Sequence, residues 1–258
     1  MDLNEVPETP FRRHPWEVAR SRFFGRVVAE ANAAGRALRV LDVGAGDGYL
    51  GRQLLGALPS GSQIACVDSN YSDRELAQLG SPPAPGLSFS RDRPPGTFDV
   101  ILLLDVIEHV ADDRAFLTEI LENSLDADGV VVVSVPAWDL LYGKHDLALK
   151  HFRRYQPAQG RALLQEVGLK IVRDGGLFHS LLLPRILQRL SEAALGALRL
   201  GQNGKPANLG EWRGGSLLSS ALTLALGVDT RLSTLLGRAG RELPGLSYWA
   251  LCRRRGRA

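Results

Sequence analysis

Two sets of residues in this chain are placed to do chemistry. The first is a run of glycines flanked by acids. Gly44, Gly46 and Gly48 follow at spacing two behind the apolar run Val40-Leu41-Asp42-Val43, and Tyr49 to Leu55 then takes up a helical pattern. A strand that ends in glycines and opens a helix is a small-molecule cradle. Glycine lets a ligand approach the backbone, and the helix N-terminus offers unpaired N–H groups. Asp42 lies two residues before the first glycine, and Asp68 ends the next apolar run, Gln63 to Val67. An acid about 20 residues past such a loop is placed to accept ribose hydroxyls. The glycines alone leave the ligand open, because Gly46-Asp-Gly48-Tyr-Leu-Gly51 also satisfies the G-x-G-x-x-G pattern of nicotinamide-cofactor binders.

The second set is rich in histidine. Asp105-Val-Ile-Glu108-His109 follows an apolar run, and Gly143 to Tyr155 holds His145, Asp146, His151, Arg153 and Arg154. Imidazole takes a proton near neutral pH, so His109 reads as a general base or acceptor-orienting group, as a structural hydrogen-bonding residue, or as a metal ligand. In the later stretch His145 reads as a base oriented by Asp146, with His151 beside it. Arg153 and Arg154 read as a clamp on a carboxylate or phosphate, with Trp138 and Tyr155 at the substrate. The plain alternative for this stretch is a charged surface loop.

These residues need elements to hold them. From Val40 the pattern alternates strand and helix, the mark of a parallel sheet with crossover helices. Strands are expected near 39–43, 63–68, 87–90, 99–104, 130–135, 169–174 and 246–252. Helices are expected near 47–57, 71–79, 112–123 and 157–167. Phe98 to Leu104 is nearly all apolar, so that strand is expected to be central and covered on both faces. Open sheets of this kind place their ligands at the carboxyl edge, where Asp105 and Val106 end the fourth strand.

Asp42-Val-Gly44-Ala-Gly46-Asp-Gly48 resembles the D/E-x-G-x-G-x-G signature of class I S-adenosylmethionine-dependent methyltransferases. Cys66-Val-Asp68-Ser69, the stretch from Phe98 to His109, and Asp128-Gly129 before Val130 to Val135 continue the resemblance in order. It implies a Rossmann-like α/β fold with a seven-stranded sheet, mostly parallel with the last strand antiparallel, and helices on both faces. It implies S-adenosylmethionine as cofactor. Gly44, Ala45, Gly46 and Gly48 would line the methionine and ribose portion, with Asp42 near the amino group. Asp68, with Ser69 beside it, would bind the ribose, and Asp92 would meet the adenine amine, Asp105 and Val106 closing that side. Asp105-x-x-Glu108-His109 also resembles the acid-x-x-Glu-His element of ubiquinone-type and small-RNA methyltransferases, in which a divalent ion orients the acceptor. Asp105, Glu108, His109 and His145 are then its candidate ligands. An Asp at the first position, one methylene shorter than Glu, argues against the ion, as does the need of hard cations for about six ligands.

With 258 residues, 45% of them hydrophobic, the chain is expected to form one domain over 1–258. Residues 11–30 are expected to form a helix that covers the cofactor, with Arg12, Arg13, His14 and Trp16 toward the ligand; residues 1–10 read as a loose tail. Residues 177–240 read as a helical insertion before the last strand, with one apolar helix from Leu177, a second over Leu217–Val228 and a loop at 201–210 between them. The insertion is a lid over an apolar substrate or a patch that rests on a membrane surface. Residues 1–176 hold 19 Lys/Arg against 24 Asp/Glu, net −5, whereas residues 177–258 hold 12 against 4, net +8. Cys66 and Cys252 are expected to be buried and reduced, which fits a cytosolic compartment, and no secretory signal is visible in the polar N-terminus.

The reading is a methyltransferase for a small-molecule or lipid-linked acceptor, with transfer at oxygen. Its alternatives are a nicotinamide-dependent oxidoreductase and a catalytically silent module that binds a membrane or partner. The arginines are not interleaved with a stacking platform, which argues against nucleic acid.

Overall fold

The structure is a computed structural model that describes residues 13–197, 214–240 and 243–255. The expected tail, Arg12 and the expected loop at 201–210 lie outside these residues. Helix α1 (Pro15–Ala31) precedes β1 (Arg39–Val43), α2 (Tyr49–Ala57), β2 (Gln63–Val67), α3 (Asp73–Leu79), β3 (Leu87–Ser90) and β4 (Phe98–Leu104). Then come α4 (Asp113–Ser124), β5 (Leu125–Pro136), α5 (Lys144–Ala148), α6 (Pro157–Glu166) and β6 (Leu169–Leu177). Two long helices, α7 (His179–Ala197) and α8 (Ser216–Arg238), separate β6 from the last strand, β7 (Ser247–Arg254).

One seven-stranded sheet runs in the order β3-β2-β1-β4-β5-β7-β6. Its strands pair in parallel except β7, which is antiparallel to both β5 and β6. The core lies on both faces, and alternation along each strand divides the side chains between them. Leu41, Ile101 and Leu103 join Leu117, Leu121 and Leu164 on one face. Val40, Val100 and Leu102 join Phe23, Phe24, Val28 and Trp249 on the other. Helices on both faces explain why Phe98 to Leu104 is apolar at nearly every position. Cys66 and Cys252 are both free and buried in this sheet.

Several boundaries differ from the sequence expectation: α1 begins at Pro15, and β6 runs on to Leu177, so the insertion starts with α7. Strand β5 begins at Leu125, where Leu125 pairs with Phe98 before a register shift; Asp126, Asp128 and Gly129 disguised this extension as a turn. The stretch from Gly143 to Tyr155 contains the short helix α5. Helix α8 continues ten residues past Val228. Asp229, Thr230 and Ser233 interrupt the apolar pattern there, but all three are buried and bonded within the protein. Asp229 accepts the amides of His179 (3.0 Å) and Ser180 (2.8 Å), and so caps α7 from another helix.

Candidate active site

The carboxyl ends of the parallel strands share one edge, and the chemistry-bearing residues gather along it. Gly44 and Ala45, just past β1, donate their amides to the Val67 carbonyl at 2.8 and 3.1 Å, tying the glycine loop to the end of β2. Gly44, Gly46 and Gly48 all have positive φ, at 67°, 54° and 69°. A Cβ on Gly44 would stand 2.8 Å from Val106 Cγ2, and one on Gly48 would stand 2.4 Å from a Phe89 ring carbon. The Tyr71 hydroxyl donates to the Gly46 carbonyl at 2.6 Å and pins the loop from below. Asp68 accepts the Gly46 amide on one oxygen (3.2 Å) and the Asn70 amide on the other (3.0 Å), so the acid after β2 and the loop after β1 form one unit.

Asp42 is buried beside this loop, and its Oδ2 has no hydrogen-bond partner. Burial pushes its carboxyl up to about 7; the Arg20 guanidinium opposes the rise and the Asp68 carboxylate adds to it. A buried carboxylate oxygen without a donor is a socket for a cationic group. Ser69 and Asp92 are exposed at the rim, where the Asp92 carbonyl accepts the Ser90 hydroxyl at 2.7 Å.

Helix α1 crosses this edge. His14 caps it by accepting the Trp16 amide, and Pro15 takes the first turn. Two arginines then reach down: Arg13, just before the helix, pairs with Asp47 in the glycine loop and lies over the Tyr49 ring, while Arg20 of α1 pairs with Asp105 at 2.8 Å. Trp16 meets Phe178 edge-on. Asp105, Trp138 and Phe178 are non-glycine residues with positive φ, at 60°, 67° and 60°, and they stand just past β4, β5 and β6. Backbone strain of this kind, held by surrounding packing, is a mark of functional edges.

Past Asp105 the chain makes a single tight turn over Ile107–His109, which buries Glu108 completely. The Phe152 amide donates to the Glu108 carbonyl at 2.8 Å and so brings the second histidine stretch against the first. Glu108, His109 and His151 each place a potential ligand atom within 4.8 Å of the others. The two imidazoles meet edge to face with centroids 4.6 Å apart. Neither carboxylate oxygen of Glu108 has a hydrogen-bond partner. Burial holds that carboxyl well above the usual range, and the Asp105 charge adds to the rise.

Behind His151 lies Asp146, wholly buried in α5. Its Oδ1 is 3.0 Å from His151 Nδ1 and 2.7 Å from Arg154 Nε, and its Oδ2 accepts the Gly143 amide at 2.9 Å. Burial alone would raise this carboxyl, but the His151 and Arg154 contacts outweigh it and hold the group below the ordinary carboxylate range. Arg185, from α7, approaches Asp146 to 3.8 Å.

The structure gives several expected residues another use. Asp146 serves His151 rather than His145, whose imidazole is lowered by burial first, with Asp146 opposing. Arg154 is buried on Asp146 and the Ala137 carbonyl. Arg153 is held by Asp113 and the Ala111 carbonyl, and the Tyr155 hydroxyl by Asp113 and the Ile107 carbonyl. Both guanidiniums of the expected Arg153–Arg154 clamp are thus bonded within the protein, Arg154 buried and Arg153 partly exposed. Trp138 donates its indole N–H to the Gly245 carbonyl at 2.7 Å. Asp105 pairs with Arg20 and accepts from Ser134, so among the expected metal ligands only Glu108 and His109 meet, and His151 takes the place of Asp105 and His145. Sequence reasoning missed Arg20, Tyr71 and Arg185. Only Arg20 left a signal, four residues after Trp16 and so on the same face of the helix.

The methyltransferase domain family profile matches residues 11–174. A stretch of 123 residues is 35% identical to the ubiquinone biosynthesis O-methyltransferase of Bradyrhizobium diazoefficiens, covering 45% of this chain and 46% of that protein. The match thus spans about half the length of this curated relative. Among solved structures, coclaurine N-methyltransferase bound to N-methylheliamine and S-adenosylhomocysteine is similar with a TM-score of 0.53 and 13% identity, over 91% of this chain and 70% of that one. An S-adenosylmethionine-dependent methyltransferase of Mesorhizobium loti gives 0.51 and 15%, over 89% and 96%. At these identities the solved structures speak for the fold alone.

Proposed function

This chain belongs to the methyltransferase domain family, and from that premise we propose that it transfers the methyl of S-adenosylmethionine to a hydroxyl of a small-molecule or lipid-linked acceptor. The observation that carries the reading is one shared edge. The glycine cradle with Asp42 and Asp68 stands at the ends of β1 and β2, and the Asp146-oriented His151 stands beyond β4 and β5 on the same edge.

The residues fit this cofactor. The positive-φ glycines leave the cradle open to backbone approach, Asp68 offers carboxylate lone pairs for ribose hydroxyls, and the orphaned Asp42 oxygen suits the cationic amino group. When bound, S-adenosylmethionine supplies an activated methyl on a sulfonium sulfur. The chain's own part is to hold, align and deprotonate. Asp146, kept ionised, accepts His151 Nδ1–H and so fixes the tautomer, leaving Nε2 to take the acceptor's hydroxyl proton. Helix α1 keeps water from the cradle through the Arg13–Asp47 and Arg20–Asp105 pairs.

A second reading concerns how the acceptor oxygen is held. The unpartnered, fully buried Glu108 beside His109 and His151 is the donor set of a divalent cation, and such an ion would satisfy a carboxylate that the protein leaves bare. Glu108, His109 and His151 would hold it, and it would supply Lewis-acid polarisation of the acceptor oxygen. In that case His151 is a ligand and not the base. The relative's name, a ubiquinone biosynthesis O-methyltransferase, supports oxygen as the acceptor atom under either reading.

Calorimetric titration with S-adenosylhomocysteine and with NADH tests the cofactor, and labelled methyl transfer to phenolic and polyprenyl-linked alcohols tests the acceptor. NADH binding in place of S-adenosylhomocysteine would reverse the assignment. Metal content after incubation with Mn²⁺, wild type against Glu108→Gln, separates the two readings: stoichiometric Mn²⁺ lost in the variant selects the ion, and none in either protein selects the His151 base.

A further inference from the structure

Helices α7 and α8 lie beyond the residues that the family profile covers. Helix α8 has two contrasting faces. The inner one carries Leu226, Asp229, Thr230 and Ser233, all buried. The outer one carries Leu217, Leu224, Val228 and Leu235, at steps of seven, four and seven, which fall on one line of a helix with 3.6 residues per turn. These side chains are 87%, 70%, 59% and 61% exposed. A surface helix in water turns its leucines inward and its polar residues outward; α8 does the reverse.

Arginines stand on α8 and on the adjoining α1. Arg231 is exposed on α8 between Val228 and Leu235. Arg26 of α1 donates to Thr230 of α8 at 3.1 Å. Burial, and then repulsion from Arg231 and Arg22 against the pull of Glu30, holds the Arg26 guanidinium below its usual range. Neither Arg22 nor Arg231 makes an ion pair among the described residues. Arg231 thus stands beside the apolar line, while Arg26 holds to the inner face through Thr230, within reach of the charges of Arg231 and Arg22.

We propose that the outer face of α8, with Arg231 beside its apolar line and Arg22 and Arg26 on the adjoining α1, docks on the surface of an anionic lipid bilayer. Charge selects this occupant. Residues 177–258 carry 12 Lys/Arg against 4 Asp/Glu, so a second copy would bring one net-positive segment against another. Lipid phosphates answer the guanidiniums, and the acyl boundary takes the leucines. No helix among the described residues is long and apolar enough to cross a membrane, so α8 rests in the interface plane. Helix α7 exposes Leu183 and Leu187 and, on another side, sets Arg185 and Arg189 against Asp146 and Gly143. Arg185 thus joins the helical insertion to the Asp146–His151 pair.

Co-sedimentation of the full chain with phosphatidylcholine vesicles, with and without phosphatidylglycerol, tests this directly. Leu224→Gln/Val228→Gln keeps helix propensity at exposed positions, and Arg22→Gln/Arg231→Gln removes charge. The wild type is expected to bind anionic vesicles at least about tenfold more tightly than neutral ones, and each double variant to lose about tenfold or more. S-adenosylhomocysteine binding is expected to be unchanged in both variants, which keeps this result separate from the cofactor assignment. Three outcomes overturn docking. One is wild-type binding that anionic lipid does not improve. Another is a wild-type dimer by light scattering that the leucine variant dissociates, which makes the face a contact between copies. The third is unchanged vesicle binding with a lowered melting temperature in the leucine variant, which means that the chain itself covers the face.

Discussion

Oδ1 of Asp146 stands 3.0 Å from Nδ1 of His151, and the same carboxylate is bonded to Arg154 and to the Gly143 amide. A carboxylate so held stays ionised and fixes one imidazole tautomer. Asp146→Asn puts an amide where the acceptor stood and leaves Arg154 buried without its counter-charge. His151→Gln removes only the proton acceptor. If His151 is the base, His151→Gln lowers kcat by about 10² to 10⁴ while the affinity for S-adenosylhomocysteine, held by distant strands, is unchanged. Steady-state kinetics beside calorimetry checks this. Asp146→Asn is expected to lower kcat as well and, unlike His151→Gln, to lower the melting temperature, because a buried cation has lost its partner.

Asp42 ties stability to pH. Its folded carboxyl stands at about 7 against an ordinary value of 3.8. Between those values the folded state binds a proton that the unfolded chain has released, so stability falls as pH rises from about 4 to about 7 and then levels off. Asp42→Asn abolishes this slope. The variant is expected to melt higher than the wild type at pH 8 and to gain little at pH 4, with a gain at pH 8 on the order of 2–4 kcal/mol. Denaturant titrations at both pH values measure it. The same variant is expected to bind S-adenosylhomocysteine more weakly at pH 8, since the carboxylate proposed to meet the ligand's ammonium is gone.

Gly44 tests the cradle by shape. With φ at 67° and a would-be Cβ 2.8 Å from Val106 Cγ2, Gly44→Ala meets both backbone strain and a clash. A stability loss of about 1–3 kcal/mol is expected, together with loss of ligand affinity. Adding Val106→Ala frees the space and leaves the strain. The double variant is therefore expected to recover part of the stability, and equal melting temperatures in single and double variants would show that the clash is relieved by movement elsewhere.

Local physics made the cradle legible in the sequence. An apolar run, three glycines at spacing two and an acid after the next strand each have a short-range cause, and β1, β2, Asp42 and Asp68 stand where the pattern put them. The histidine cluster was half legible. His109 and His151 were singled out, but their meeting depends on the Phe152 amide reaching the Glu108 carbonyl across more than forty residues, and no periodicity encodes that. Arg153 and Arg154 look alike in sequence to any free guanidinium; only the fold shows that Asp113 and Asp146 already hold them. Helix α8 was read too short because its inward side is polar. Asp229, Thr230 and Ser233 serve as partners for α1 and α7, and a pattern search that equates apolar with buried ends the helix there.

Asp68 carries two loads, and they can be separated. Its carboxylate accepts the Gly46 and Asn70 amides, which shapes the loop, and under the proposed function its remaining lone pairs accept the ribose hydroxyls. Asp68→Ala removes both functions. Hydrogen bonds to a charged group contribute about 1.5–3 kcal/mol, so the affinity for S-adenosylhomocysteine is expected to fall by about ten- to a hundredfold or more, and the melting temperature to fall with it. Asp68→Asn keeps the size and one carbonyl acceptor but turns a donor toward one of the two amides. It is expected to weaken ligand binding nearly as much as alanine, because a ribose hydroxyl loses its anionic partner. Calorimetry on both variants, with thermal melts of the ligand-free proteins, separates loop from ligand. Wild-type affinity in Asp68→Asn would place the ribose away from this carboxylate and leave Asp68 as a loop anchor alone.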